Sequence, residues 1–549
     1  MLSSFVLSQV TFAFDAKPLL DDVTITIPAT RVGVVGRNGA GKSTLLRLLA
    51  ADLSPTTGSI KAPDSLARLP QDLVQRCDLT VAALLGIEEV LAALERIEAG
   101  SINPADYETV GERWDVASRA ISLLSARVPS LSSEDTLNRP LGTLSGGEIM
   151  LTALAGLEFS NARTLLLDEP TNNLDRATRT ALYSWVEQWT GGLVVVSHDI
   201  ALLRRMDHIL EVNEGALTLW GGNYDHWQEQ SQVLEAATEQ RLRDAERRLR
   251  AEQRERKHVQ TATARQARRD GQRFATVKQG PRLSDPEWKS RAEGRRAQAN
   301  RLATQKVQAA REEVSRAAEA VTTRDSIKVD LPELRRARGR QLAELGTPPR
   351  AFTVRGGDRI ALIGDNGVGK TTLLRQARLF TTRVGWIDQH VELPTGCSVL
   401  ECLRRSNPEA TRREMRALLA RFLLRGEIVE RPVETLSGGE RFRAALARVL
   451  LATPPPELLL LDEPTNNLDL ETVAAFVEAL AQYRGALVLI THDDAVLERL
   501  ELDAVLTVTG PGELTLLRSD WPGRGRPVPR TGVTSAAPRP PVHAGSGER

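Results

Sequence analysis

Cysteine is nearly absent from this 549-residue chain, which holds three, at Cys77, Cys397 and Cys402. Three thiols offer no pairing framework, and Cys397 and Cys402 lack the spacing of a zinc knuckle. Buried or bystander thiols in a reducing compartment are expected. Long apolar runs are missing too. No stretch approaches the ~18 uninterrupted apolar residues that span a bilayer, so a membrane role would need a separate partner chain. The opening residues, Met1-Leu-Ser-Ser-Phe-Val, show no basic region ahead of an apolar core. An export signal is therefore not expected, and a cytoplasmic location is.

Net charge is also close to nothing, at +1. With 41% apolar and 26% charged residues the composition is that of a soluble globular protein. The length allows roughly three or four domains of about 150 residues. The small net charge hides an asymmetry. Between Arg241 and Arg324 stand 23 Lys and Arg against 11 Asp and Glu, an excess of 12 positive charges, and the remainder carries 49 against 60. A polyanionic partner is to be sought in the middle of the chain.

What the chain does have is one motif set, twice, in the same order. The first copy reads Gly36-Arg-Asn-Gly-Ala-Gly-Lys42-Ser43, Leu144-Ser-Gly-Gly-Glu148, Leu165-Leu-Leu-Asp168-Glu169-Pro170, Leu174-Asp175 and His198. The second reads Gly364-Asp-Asn-Gly-Val-Gly-Lys370-Thr371, Leu436-Ser-Gly-Gly-Glu440, Leu459-Leu-Leu-Asp462-Glu463-Pro464, Leu468-Asp469 and His492. The gap from carboxylate to histidine is identical in both copies, Asp168 to His198 and Asp462 to His492. A lone phosphate-loop match can arise by chance; an ordered duplicate set implies a nucleotide-binding and nucleotide-hydrolysing chain.

Each residue type has a reason. Glycines let the backbone turn its N–H groups onto phosphate at a helix N-terminus. The first cradle comprises Gly36, Asn38, Gly39, Gly41, Lys42, Ser43 and Thr44, and the second Gly364, Asn366, Gly367, Gly369, Lys370, Thr371 and Thr372. Lys42 and Lys370 are placed to reach the β- and γ-phosphates of ATP, and Ser43 and Thr371 to ligate Mg²⁺. Asp168 and Asp462 can hold the metal directly or through water. Glu169 and Glu463 suit polarisation of the attacking water, which His198 and His492 would orient. Gln71 and Gln389, each after a strand, would contact Mg²⁺ and water. Phe14, read as preceding the first strand pair, is fit to stack on adenine. Ser145, Gly146, Gly147 and Glu148, with Ser437, Gly438, Gly439 and Glu440, open helices whose backbone donors suit a γ-phosphate presented from outside. Each half thus has a loop for its own nucleotide and a signature that needs another's, so the halves can close head to tail around two ATP molecules.

Strands alternating with helices predict a doubly wound α/β fold. Thr24–Ile27 and Val32–Val35 read as strands, the second leading through the glycine turn into a helix; Leu165–Leu167 and Leu193–Val196 read as parallel strands buried on both faces. The first domain covers 1–226 and the second 325–517. Between them, 227–324 reads as two antiparallel helices with a tip at 268–292, since Ala303, Val307, Ala310, Val314, Ala317 and Val321 recur at coiled-coil spacing and Gly271, Gly280, Pro281 and Pro286 interrupt. The tail, 518–549, is Pro-, Gly- and Arg-rich and is expected to be disordered.

Over residues 1–517 these motifs resemble the ABC-F group of ATP-binding cassette proteins. The likeness is carried by the twin Asp-Glu-Pro-Thr-Asn-Asn-Leu-Asp stretches (168–175 and 462–469), by Ser197-His-Asp, by Gly222-Asn-Tyr-Asp225 and by the hairpin between cassettes. The resemblance implies two P-loop domains of cassette type, each a parallel sheet core plus a helical subdomain, joined by a helical-hairpin linker. It implies Mg-dependent ATP hydrolysis, a monomer whose two cassettes pair, and binding at the ribosomal tRNA exit site. There the linker would meet rRNA and the P-site tRNA, to modulate translation or protect against ribosome-targeting antibiotics. The basic linker agrees with RNA binding, with Arg265, Arg268, Arg269, Arg273, Lys278, Arg282, Lys289, Arg291, Arg295 and Arg296 crowding its tip, and Phe274 and Trp288 available for base stacking.

The chain departs from the family's pattern in places. Asn173 and Asn467 stand where the family usually has His. The stretch from Lys370 to Gln389 is markedly shorter than that from Lys42 to Gln71, and no aromatic lies between Arg324 and Ala351 to match Phe14. The second site is thus expected to be the weaker nucleotide platform. The segment near Glu88–Arg119 occupies the place of the family's arm but is short for one. Two other readings compete. The energising subunit of a transporter needs a membrane partner and leaves the basic hairpin unexplained. A DNA-repair or chromosome-associated ATPase would carry zinc modules or far longer coiled coils.

Overall fold

The computed structural model describes residues 4–14, 17–69, 73, 76–160, 162–213, 215–276, 286–319, 339–347, 351–388, 393–466, 468–510 and 512–517. The chain divides into two compact units: Met1–Tyr224 with Ser326–Arg549, and Asp225–Asp325. The first cassette opens with β1 (Phe5–Phe14), β2 (Lys17–Ile27) and β3 (Arg31–Gly36), then α1 (Lys42–Leu49), β4 (Thr57–Lys61) and β5 (Leu66–Leu69). A helical stretch follows, with α2 (Val81–Leu84), α3 (Glu88–Glu98), α4 (Pro104–Val110), α5 (Val116–Arg127) and α6 (Gly146–Phe159). Alternation resumes with β6 (Thr164–Asp168), α7 (Arg176–Gln188), β7 (Gly192–Val196), α8 (Ile200–Leu203), β8 (His208–Asn213) and β9 (Ala216–Gly221).

The main sheet has the order β5-β6-β7-β3-β8-β9, parallel through β8, with β9 returning antiparallel. Its central strands are wholly apolar because helices cover both faces: Leu165, Leu166 and Leu167 have no exposed surface. Burying such a side chain contributes about 1.5–3 kcal/mol. The smaller antiparallel sheet β2-β1-β4 shares a core with α1, where Leu45, Leu46, Leu48 and Leu49 meet Phe5, Leu7 and Val10. Truncating Leu46 to Ala there costs roughly 2–5 kcal/mol. Phe14 ends β1, its backbone paired with Lys17, so it closes the first hairpin instead of preceding it. The buried run Phe5, Leu7, Val10 and Phe12 is what makes this segment a strand. The segment at the place of an arm folds into α3, α4 and the start of α5. Asn103 caps α4 with Pro104 in its first turn, and the buried carboxylate of Asp106 takes Arg96 and Ser101.

The second unit contains α9 (Tyr224–Thr276) and α10 (Pro286–Glu319). Arg248 in α9 and Glu313 in α10 stand about equally far, in sequence, from the break between the two helices, and they pair at 2.9 Å. The helices therefore run antiparallel. Ala245, Ala303, Val307 and Ala310 are buried, while Val314 and Ala317 are half-buried. Helical backbone extends into the segment assigned to the tip. It passes through Gly271 because one glycine costs only about 1 kcal/mol, and it restarts at Pro286, a residue suited to a first helical turn. Residues 277–285, the side chains of Arg273, Phe274, Trp288, Lys289 and Arg291, residue Val321 and the tail 518–549 lie outside the described residues.

The second cassette repeats the plan. It has β10 (Gln341–Leu345), β11 (Phe352–Arg355), β12 (Arg359–Ile363), α11 (Lys370–Arg375), β13 (Arg378–Leu379), β14 (Val384–Ile387), α12 (Val399–Ser406), α13 (Arg412–Arg421) and α14 (Gly438–Leu450). Then come β15 (Leu458–Asp462), α15 (Leu470–Gln482), β16 (Ala486–Ile490), α16 (Asp494–Arg499), β17 (Ala504–Gly510) and β18 (Glu513–Leu517). Its main sheet, β14-β15-β16-β12-β17-β18, has the same order as the first, with β11-β10-β13 as the small sheet. One face packs Phe422, Phe442 and Phe476, the last two edge-on at 5.3 Å; the other packs Leu342, Leu345, Leu373 and Leu374.

One expectation is corrected here. Cys397 and Cys402, read as separate thiols, are buried and joined as a disulfide. Ser398 caps α12 with a reciprocal serine–glutamate box, and this turn brings residue 397 over the first turn of the helix, 6.3 Å from Cys402 between Cα atoms. Among the described residues no helix is long and apolar enough to cross a membrane.

Candidate functional site

Strands β3 and β12 each run into a glycine turn and then a helix. Gly39 and Gly41 adopt φ of 83° and 96°, and Gly367 and Gly369 of 81° and 93°, a left-handed path that residues with a Cβ resist. Nothing among the described residues lies within 4 Å of where a side chain at Gly39 or Gly367 would stand, so both turns open onto free space. Behind each turn the lysine is buried and folded inward. Lys42 Nζ donates to the carbonyls of Gly36 and Arg37 at 2.8 and 3.1 Å, and Lys370 Nζ to those of Gly364 and Asp365 at 2.8 and 2.9 Å. Burial lowers the pKa of both lysines, opposed by the carboxylates at Glu169 and Glu463. Thr44 and Thr372 sit in the first turns of α1 and α11.

At the ends of β6 and β15, Asp168 and Asp462 accept hydrogen bonds from the hydroxyls of Ser43 and Thr371. Burial raises both carboxyls. Each retains one buried oxygen, Asp168 Oδ1 and Asp462 Oδ2, without a hydrogen-bond partner among the described residues. An acceptor left so is costly unless a cation or water completes it, and a hard oxygen beside a hydroxyl suits Mg²⁺. The residues present therefore fit a magnesium–nucleotide complex.

The following glutamates have a backbone conformation that sequence reading missed. Glu169 and Glu463 take φ of 47° and 44°, with their N–H groups on Val196 O and Ile490 O at 2.8 and 2.9 Å. A left-handed glutamate is strained by of order 1–3 kcal/mol, and the neighbouring strand holds it there. This bend aims the carboxylates at the histidines: His198 Nε2 is 3.3 Å from Glu169 Oε1, and His492 Nε2 is 3.5 Å from Glu463 Oε1. Burial pushes Glu169 up to about 8 against the pull of Lys42, and depresses His198 to about 3 and His492 to about 4. Both imidazoles are neutral at pH 7 and can each donate one hydrogen bond and accept another. Asn466 Nδ2 donates to Glu463 Oε2 at 2.6 Å.

Ser145 and Ser437 cap α6 and α14. Glu148 and Glu440 turn back onto the N–H groups of those serines at 2.8 and 2.9 Å, so these glutamates shape the helix start. Among the described residues nothing stands within 4 Å of a side chain at Gly146 or Gly438, whereas Gly147 and Gly439 abut Thr178 and Thr472, the first-turn residues of α7 and α15.

The two halves meet through Asp175 and Asp469, residues that the motif set contained without a role. In each, one carboxylate oxygen caps its own helix, accepting from Thr178 N at 2.9 Å and Thr472 N at 2.8 Å. The other crosses to the opposite phosphate loop: Asp469 accepts from Asn38 N at 2.9 Å, and Asp175 from Asn366 N at 3.4 Å. Asn366 Nδ2 also donates to Asn173 O at 2.9 Å, and Arg37 pairs with Glu471 at 2.7 Å. Equal spacing of the two aspartates was the available signal; Arg37 and Glu471 had none. Gln71, Gln389, Asn467 and the side chain of Phe14 lie outside the described residues.

The chain matches the family described as "ABC transporter" over residues 20–172 and 349–466. It is 33% identical over 513 residues to the ATP-binding protein Uup of Escherichia coli strain K12, spanning 88% of this chain and 76% of Uup. With the probable ATP-binding protein YheS of the same strain it shares 30% identity over 542 residues, 91% of this chain and 78% of YheS. Among solved structures it is similar to a chain of the "Model of ribosome-bound archaeal Pelota and ABCE1", with a TM-score of 0.51 and 20% identity over 93% of this chain and 78% of that one. That likeness is one of fold. Paired phosphate loops, paired signatures and these relatives together place the chain in the ABC-F family of twin-cassette ATPases.

Proposed function

We propose that the chain is a ribosome-associated switch in which closure of two cassettes on two ATP molecules sets a surface for the tRNA exit site, and hydrolysis releases it. The observation that carries the switch is the crossing of Asp175 and Asp469 to the opposite phosphate loops, which makes each nucleotide site sensitive to the other half. Magnesium-bound ATP brings the transferable phosphoryl group and the neutralising cation. The residues to hold that metal are Ser43 with Asp168 and Thr371 with Asp462. Lys42 and Lys370 neutralise phosphate charge; Glu169 and Glu463 polarise water that the neutral His198 and His492 orient. Ser145 and Ser437 present the helix starts that meet the γ-phosphate of the other half.

The ribosomal part rests on the linker. Arg265, Arg268, Arg269 and Arg295 are exposed on its two helices, in a segment with 12 excess positive charges. Such a surface suits rRNA and tRNA phosphates, whose neutralisation supplies most of the affinity. The relative of like fold named above is itself described as ribosome-bound.

Replacing Glu169 and Glu463 together by Gln is expected to leave ATP bound and to hold the protein on 70S particles in sucrose gradients. A double variant that keeps ATP yet shows no ribosome enrichment, or that fractionates with membranes, overturns the reading. Sensitivity of a deletion strain to macrolides, lincosamides and pleuromutilins, beside polysome profiles, separates antibiotic protection from general control of translation.

A further inference from the structure

Aligning the two cassettes on their motifs pairs every residue from Asp168 to Asp199 with one 294 positions later, from Asp462 to Asp493. On that alignment α7 and α15 present different chemistry to the seam. Helix α7 carries Arg176, Arg179 and Tyr183, whereas α15 carries Leu470, Val473 and Val477 at the same places. Arg179 is almost wholly buried, its side chain 12% exposed. Its Nε donates to Leu174 O at 3.2 Å in its own half, and one terminal nitrogen stands 3.5 Å from Asp199 Oδ2 and 3.5 Å from the carbonyl oxygen of His492 in the other half. Tyr183 donates to the same Asp199 oxygen at 2.6 Å, and Arg176 reaches Asp494 at 3.4 Å on the rim. Val473, Val477 and Leu470 have no side-chain group able to return any of these bonds.

We infer that Arg179 is a positioning residue for the second nucleotide site, fastening the backbone of His492 from the opposite cassette, in one direction only. The guanidinium fork suits this task. It can face a carboxylate, a carbonyl of its own cassette and a carbonyl of the other at once, and it keeps its charge when buried. Contacts of 3.5 Å are long for hydrogen bonds, so the hold is sensitive to small movements of the seam. With the seam closed, the backbone that carries the His492 imidazole is held, and with it the 3.5 Å approach of Nε2 to Glu463. With the seam open, that hold is lost. The first site has no such gate, because Val473, which stands at the place of Arg179, has no side-chain donor to offer the His198 carbonyl. Turnover at the second site therefore depends on closure through a contact the first site does not use. This inference rests on ATP hydrolysis and not on ribosome binding.

The test uses full-length protein without ribosomes, in two silenced backgrounds. Glu169→Gln leaves the second site to report, and Glu463→Gln leaves the first. Adding Arg179→Val is expected to lower the ratio of second-site to first-site kcat at least about tenfold, with the KM for ATP at the second site within about twofold of its parent. Arg179→Lys, which keeps the charge beside Asp199 but lacks the fork, should recover part of that ratio. Equal loss at both sites, a change confined to KM, or an unchanged ratio overturns the inference. Should Arg179→Val fail to fold, Arg179→Lys is read by the same ratio and decided by the same outcomes. Because no ribosome enters the assay, failure here leaves the 70S reading untouched, and the reverse holds as well.

Discussion

In the first cassette a hairpin with strands of ten and eleven residues lies against the phosphate loop, and a side chain at Gly41 would collide with Leu19; in the second, the matching strands have five and four residues and, among the described residues, Gly369 faces open space. Helix α1 has eight residues and α11 six. Yet behind these frames the two lysines repeat the same bonds to loop carbonyls, the two aspartates those to a serine or threonine hydroxyl, and Glu169 and Glu463 share the left-handed bend. Fastenings across the seam differ as well. Arg37 with Glu471 secures the first loop, but the corresponding residues at the second loop are Asp365 and Ala177, which cannot pair. Groups that handle phosphate are limited by chemistry to few arrangements. The parts that frame the loops and join the halves have many solutions, and it is these that diverge.

The comparison can be broken most decisively at the lysines. Each of Lys42→Ala and Lys370→Ala removes a buried charge and should weaken its own site roughly a hundredfold, the scale of losing a buried charge partner. Calorimetric titration of either variant should count one nucleotide fewer than the parent, with the remaining site intact. A smaller loss for Lys370→Ala would mean that the second site already binds weakly.

Next in size is an acid effect that should be shared by both sites. The pKa of His198 falls to about 3 and that of His492 to about 4 in the folded protein, from an ordinary 6.5, because burial disfavours the cation. A depressed pKa contributes stability that is present above pH 6.5 and is lost as pH falls through the folded values. Melting temperature of the nucleotide-free protein should therefore drop between pH 6.5 and 4, and His198→Gln and His492→Gln should each flatten that drop. Glu169 has the opposite sign: raised to about 8 by burial, it loses stabilising effect as pH climbs from 4.5 through 8, so Glu169→Gln should flatten the alkaline side.

The smallest contrast separates the crossing aspartates. Asp175→Ala and Asp469→Ala each remove a helix cap worth about 1 kcal/mol. Asp469→Ala also breaks the shorter cross-seam bond, 2.9 Å against 3.4 Å, so its calorimetric transition should lie lower by a few degrees more. Equal shifts would show that the seam does not load the two halves unequally.

Local chemistry made most of the site legible from residues alone. A glycine turn ahead of a lysine, and an apolar run ending in Asp-Glu, declare their roles wherever they occur, because strand burial and phosphate binding each admit few residue types. The strand runs at 165–167 and 193–196 were visible for the same reason. What stayed hidden depends on neighbours distant in sequence. The strain at Glu169 is set by a carbonyl of β7, the pairing of Cys397 with Cys402 by a cap at Ser398, and the reach of Arg179 to His492 by the meeting of two halves. The strand through Phe14 is hard to place from residues because its buried set, Phe5, Leu7, Val10 and Phe12, does not keep strict alternation, β1 carrying irregularities between Leu7 and Phe12.

Arg179 opposite Val473 has one more consequence. Were this assembly built from two identical subunits, any residue placed on one side of the axis would appear on the other, and two guanidiniums would crowd one carboxylate cluster. Fusing both halves into a single polypeptide lifts that rule. Each can mutate alone, and their association, being unimolecular, does not weaken on dilution. Such a molecule is free to become a two-stroke device in which one nucleotide is spent under different supervision from the other.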